Sequence, residues 1–146
     1  MPDLITTLTT EWDGLTAGQG RVANEVLQAG IALPQSYGGS GHGANPKDLL
    51  LASAASCLVM TLASILDMRK RPHQGLSIAS TLTDKGKQGM TVEHVVSLTL
   101  PAGSSEAQQT AAAGLVQAAE EACPIGQLLK AAGVPVHAEA KVAVAA

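Results

Sequence analysis

From Leu49 to Leu66 the chain runs without a single charged side chain, and no other feature restricts its folding as strongly. A stretch of that length reaches the threshold for a bilayer-spanning helix. Ser53, Ser56, Thr61 and Ser64 punctuate it, however, and no other segment suits a membrane. It reads instead as the buried central helix of a globular protein, since a helix that is apolar all round needs cover on every side. The ends are well marked. Asn45 is a good N-cap, and Pro46 suits the first helical position, where its missing N–H would have no partner anyway. Arg69, Lys70 and Arg71 lie where cations favour the helix dipole, and Pro72 stops the run. The helix is therefore expected from Pro46 to about Met68.

Residues 4–12, 21–27 and 30–33 read as three short strands, and the run Gly38 to Gly43 as a loop. Ser77 to Asp84 and Thr91 to Leu100 form an expected hairpin across the polar turn Lys85 to Gly89. Ile78 and Leu82 share one face of the first strand; Val96, Leu98 and Leu100 share one face of the second. Ser105 and Gln108 make a capping box for a helix to about Ala122. Cys123 interrupts that helix, because the residue before a proline is pushed out of helical geometry. A short helix, Pro124 to Ala132, ends at Gly133, and Val134 to Val144 alternates as a last strand. Strands, a core helix, a hairpin, two helices and a strand make an α+β chain, expected as one domain over residues 1–146.

Composition narrows the function. The chain is 46% hydrophobic and 14% charged, apolar enough that part of its surface is expected to be covered by another subunit. A net charge of −3, one Trp, one Tyr and no Phe argue against nucleic acid, which needs clustered cations and stacking rings. The loop Gly38-Gly39-Ser40-Gly41-His42-Gly43 lacks the Lys and Ser/Thr of a phosphate loop. His73, His94 and His137 show no metal-ligand spacing and are assigned no role. The start, Met1-Pro2-Asp3-Leu4, has no basic segment leading into an apolar run, so a cytoplasmic setting is expected. There, disulfides are usually transient and chemical.

The chain has two cysteines. Cys57 lies about three turns into the central helix among small and apolar neighbours, where a thiol can simply pack as a small hydrophobe. Cys123 falls at the N-cap of the short helix, where free N–H groups favour a thiolate. Glu120 and Glu121 oppose that. A thiol peroxidase needs one thiol to attack the O–O bond and a second to condense with the sulfenic acid. Two cysteines meet that requirement.

The block from Gly38 through Asn45-Pro46-Lys47-Asp48 to Cys57, followed by Cys123-Pro124, resembles the osmotically inducible protein C family, which includes the organic hydroperoxide resistance proteins. The likeness runs in order from about Trp12 to Val144. It implies an OsmC-like fold: an intertwined homodimer with mainly antiparallel sheets wrapped around central helices. It implies that Cys57 attacks an organic hydroperoxide, that Cys123 resolves it, and that a dithiol or small-thiol reductant resets the pair. No metal or organic cofactor is implied. Members carry a Glu directly after Asn-Pro, where this chain has Lys47, and an N-terminal Arg that holds the reactive thiolate. Arg21 is the one Arg before the helix, and His42 is a second candidate cation or donor. The alternatives are a non-catalytic dimer that binds an apolar small molecule, and a thiol stress sensor.

Overall fold

The computed structural model describes residues 2–146. They form two compact units, one reaching Leu49 and one running from Leu50 to Ala146.

The first unit is a three-stranded antiparallel meander in the order β1 (Thr9–Asp13), β2 (Gln19–Ala23), β3 (Gln28–Ile31). Trp12 stands opposite Gly20, and its indole N–H closes the β1–β2 turn on the Leu15 carbonyl at 3.1 Å. Gly20 is required there: a Cβ would come within 2.7 Å of the Trp12 ring and 2.3 Å of the Glu11 carbonyl oxygen. Two expected strands are shorter than their composition suggests, for one reason. The Asn24 side chain accepts from the N–H groups of Val26 and Leu27 at 3.0 and 2.8 Å, a local turn that competes with the ladder. β2 therefore stops at Ala23, and β1, whose Thr9 pairs with Ala23, has no strand partner for residues 4–8, where the Asn24 amide instead donates to the Thr7 carbonyl at 3.2 Å. β3 lies two residues earlier than expected. After it the glycine loop folds back, with Gly41 N–H donating to the Leu33 carbonyl and Gly39 N–H to the Pro34 carbonyl. A Cβ on Gly39 would lie 2.0 Å from the Leu33 carbonyl oxygen. The glycines here let backbone pass close to backbone.

Helix α1 spans Pro46–Met68, as the capping signals indicate. Asn45 Oδ1 accepts from the N–H groups of Lys47 and Asp48 at 2.8 and 3.2 Å, and Asp48 Oδ2 accepts from Asn45 N–H at 2.9 Å. The helix is long and apolar enough to cross a membrane by length and composition. Its burial differs from the expected all-round cover. Ala54, Leu58, Leu62 and Leu66 are buried, one per turn, while Met60 and Met68 stand open. A single chain covers one row of this helix only.

The second unit continues with β4 (Gly75–Asp84), β5 (Met90–Leu100), α2 (Glu106–Ala122), α3 (Pro124–Ala131) and β6 (Val136–Val144). β4 and β5 form the expected antiparallel hairpin, and β6 joins β5 in parallel, giving the order β4-β5-β6. The crossover from β5 to β6 is the α2–α3 pair, the kind of connection a parallel pairing needs. Ser105 and Gln108 make the expected capping box at 3.1 and 2.7 Å. β5 alternates: Val92, His94, Val96, Leu98 and Leu100 are buried, while Glu93 and Ser97 are exposed. Val96, Leu98 and Leu100 of that row pack in one core cluster with Leu58, Leu62 and Leu66 of α1 and with Ala112, Val116, Ala119 and Cys123 at the α2 side, while Val92 packs with Ala54, Leu129 and Val136 in a second. Leu62, Val96 and Val116 have no exposed surface.

Candidate functional site: a buried dithiol

The α1 row places Cys57 half-buried beside the core cluster that contains Cys123. Thr61 Oγ1, one turn on, donates to the Cys57 carbonyl at 2.7 Å. Cys123 sits between α2 and α3 with extended backbone (φ −67°, ψ 114°), which ends one helix and starts the next. Its side chain is buried and lies beside the Cys57 side chain, which packs against the same core cluster. The fold thus brings the two thiols together from distant parts of the sequence, and both are reduced.

The electrostatics of Cys123 depart from what its N-cap position suggests. The N–H groups of Gly126 and Ile125 do lower its pKa. Burial raises it more, the neighbouring Cys57 side chain adds to the rise, and the net shift is upward from the ordinary thiol value. Desolvation outweighs the helix terminus because the thiolate is the charged form. Glu120, expected to oppose a thiolate, is buried, and its carboxylate pairs with Lys130 of α3. That pair spans the corner holding Cys123.

Beneath the corner lies a narrow, partly open crevice with no room for a water molecule, lined by His94, Glu120 and Cys123 with Ala54, Leu58 and Val136. The histidine was not singled out from sequence. Its Nδ1 lies 2.7 Å from Ser80 Oγ, directly across the β4–β5 ladder. Burial lowers its pKa, against an opposing pull from Glu120. One signal pointed to it: the period of Val96, Leu98 and Leu100, extended two residues back, lands on His94.

The other candidates lie in the first unit. Arg21 is exposed on β2, opposite Glu11 and Gly30. His42 is exposed in the glycine loop, its backbone N–H donating to Ser40 Oγ at 3.3 Å. Asp48, the acidic residue nearest the position taken by Lys47, serves as the reciprocal cap of α1. The same unit holds an apolar cleft of about 480 Å³, lined by Trp12, Ile31, Leu33, Pro34, Tyr37 and Lys47 among others. Among the described residues no group of three or more His, Cys, Asp or Glu side chains could hold a metal ion.

Fold and site define an α+β protein that carries a facing pair of free thiols. The family model for OsmC-like proteins matches residues 39–139, and the chain belongs to that family. It is 27% identical over 127 residues to YmaD of Bacillus subtilis strain 168, an uncharacterized protein, covering 84% of this chain and 85% of YmaD. The fold is shared with an organic hydroperoxide resistance protein OsmC from Legionella pneumophila (TM-score 0.64, 22% identity, 99% of this chain and all of that one). It is also shared with the organic hydroperoxide resistance protein OhrB of Bacillus subtilis (TM-score 0.63, 23% identity, 93% of this chain and 98% of that one).

Proposed function

We propose that the protein is a cytoplasmic thiol peroxidase that reduces organic hydroperoxides through a Cys57–Cys123 disulfide. The meeting of these two side chains at one core cluster carries the reading. Cys57, the more open thiol, attacks the O–O bond as thiolate and releases an alcohol, leaving a sulfenic acid. Cys123 then condenses with it, water leaves, and a disulfide forms before further oxidation. A dithiol or small thiol restores both groups. Family membership supports a redox role of this kind. Arg21 and His42 remain the candidates for a cation that favours the Cys57 thiolate.

The protein works as one OsmC-like domain in a homodimer. The matched region, residues 39–139, includes residues of both compact units. The open apolar side chains of α1, with Met60 66% and Met68 74% exposed, are surface that a second subunit would cover. Apolar hydroperoxides are favoured over hydrogen peroxide, because apolar surroundings gain little from a small polar substrate. The test is peroxide consumption with cumene hydroperoxide and dithiothreitol. The parent is expected to turn over repeatedly and Cys57→Ser to stop; equal rates for the two would overturn the reading.

A second reading is favoured by the apolar cleft of the first unit: a dimer that binds an apolar small molecule, with both thiols inert. In that case Cys57→Ser would leave ligand binding and biological effect unchanged.

A further inference from the structure

Two buried polar side chains of the second unit, His94 of β5 and Glu120 of α2, line one crevice with Cys123, and each has a part-buried partner, Ser80 of β4 for His94 and Lys130 of α3 for Glu120. We propose that His94 accepts the proton Cys123 gives up as it closes onto Cys57, with Ser80 orienting the ring and Glu120 balancing the charge. This rests on the dithiol reading above and names how its second step is driven.

Three placements carry it. His94 is 2% exposed in a row otherwise made of Val and Leu, a costly position for an imidazole unless its nitrogens are used. Ser80 engages Nδ1; with Nδ1–H as the donor, Nε2 keeps its lone pair. Finally, His94, Glu120 and Cys123 line the same narrow crevice. Burial keeps the thiol protonated and the imidazole neutral, the states the transfer starts from. The charged and titratable groups facing the cluster are Glu120, Lys130, Cys123 and, from α1, Cys57.

In the step, the Cys123 S–H bond and the Cys57 S–O bond break and an S–S bond forms. The sulfenic sulfur is reduced and the thiol sulfur oxidised. The proton passes through His94 Nε2 to the departing oxygen, which leaves as water.

The test follows disulfide closure by rapid quench and intact mass between about pH 6 and 8. The oxidant is cumene hydroperoxide in one arm and diamide in the other; with diamide, Cys123 displaces a hydrazine from Cys57 and no peroxide chemistry is needed. In the parent, closure should change by less than about threefold over that range, since the lowered His94 pKa favours the neutral imidazole there. In His94→Gln closure should fall about tenfold at pH 7 and rise about tenfold per pH unit, following the thiolate. Ser80→Ala should slow closure about threefold. A parent rate that itself climbs tenfold per unit, or a His94→Gln rate that keeps the parental profile, overturns the inference. Failure of the peroxide arm alone overturns the peroxidase reading, and the diamide arm still decides the role of His94.

Discussion

The side chain of Cys123 meets that of Cys57, joining the corner between α2 and α3 to the middle of α1. Each residue reaches that meeting by a different route. Cys57 belongs to the helix turn that also carries the buried Leu58, and Cys123 continues the buried row of Ala112, Val116 and Ala119. The pair is thus positioned by the core itself, and core variants report on it.

Leu62 is fully buried between the flanking Leu58 and Leu66 of α1. Leu62→Ala should lower unfolding free energy by about 2–5 kcal/mol, the range for a leucine removed from a packed core. The check is the midpoint of urea unfolding. An effect below about 1 kcal/mol would mean that the α1 row does not pack as described.

His94 has its pKa lowered by burial, so the folded protein resists protonating it. The unfolded chain takes up that proton near the ordinary imidazole value of about 6.5. The contribution of His94 to stability is therefore complete above that value and is lost as pH falls through it toward the depressed folded value. The parent should lose stability between about pH 7 and 5 more steeply than His94→Gln, measured by urea midpoints at each pH.

Cys123 shifts the other way. Its folded pKa is raised, so its contribution is full below the ordinary thiol value and is lost as pH climbs through the folded one. In Cys57→Ser, alkylation of Cys123 by iodoacetamide should need more alkaline solution than alkylation of a free cysteine. Titration of the alkylation rate against pH checks this.

The Glu120–Lys130 pair spans the corner that holds Cys123. Lys130→Met leaves the buried carboxylate uncompensated and should cost about 1–3 kcal/mol. The double variant Glu120→Gln, Lys130→Met should recover most of it, because removing both charges also removes the desolvation cost. Thermal or urea unfolding of the three proteins closes the cycle.

Much of this architecture was legible in the chain. α1 could be bounded from Asn45-Pro46 and Pro72, and α2 from Ser105, Gln108 and Cys123-Pro124, because caps and prolines act locally. β4 and β5 were readable from alternation. The three strands of the first sheet were legible but their bounds were not, since the Asn24 side chain ends β2 by a hydrogen bond that composition cannot weigh against strand pairing. The parallel seating of β6 on β5 is a long-range event with no local signal. The site divides in the same way. Cys57 and Cys123 announce themselves as residue types in recognisable settings. The group of Ser80, His94 and Glu120 around Cys123 depends on ladder register and helix docking, and it appears only in three dimensions.

The most direct measurement is the intact mass of the reduced protein after one equivalent of cumene hydroperoxide, with peptide mapping of the product. The account predicts loss of the mass of two hydrogens and a single linked peptide pair joining Cys57 to Cys123 within one chain; Cys123→Ser should instead hold a sulfenic acid at Cys57 that dimedone captures. An unchanged mass, or oxidation at Cys57 with Cys123 still free in the parent, would contradict it.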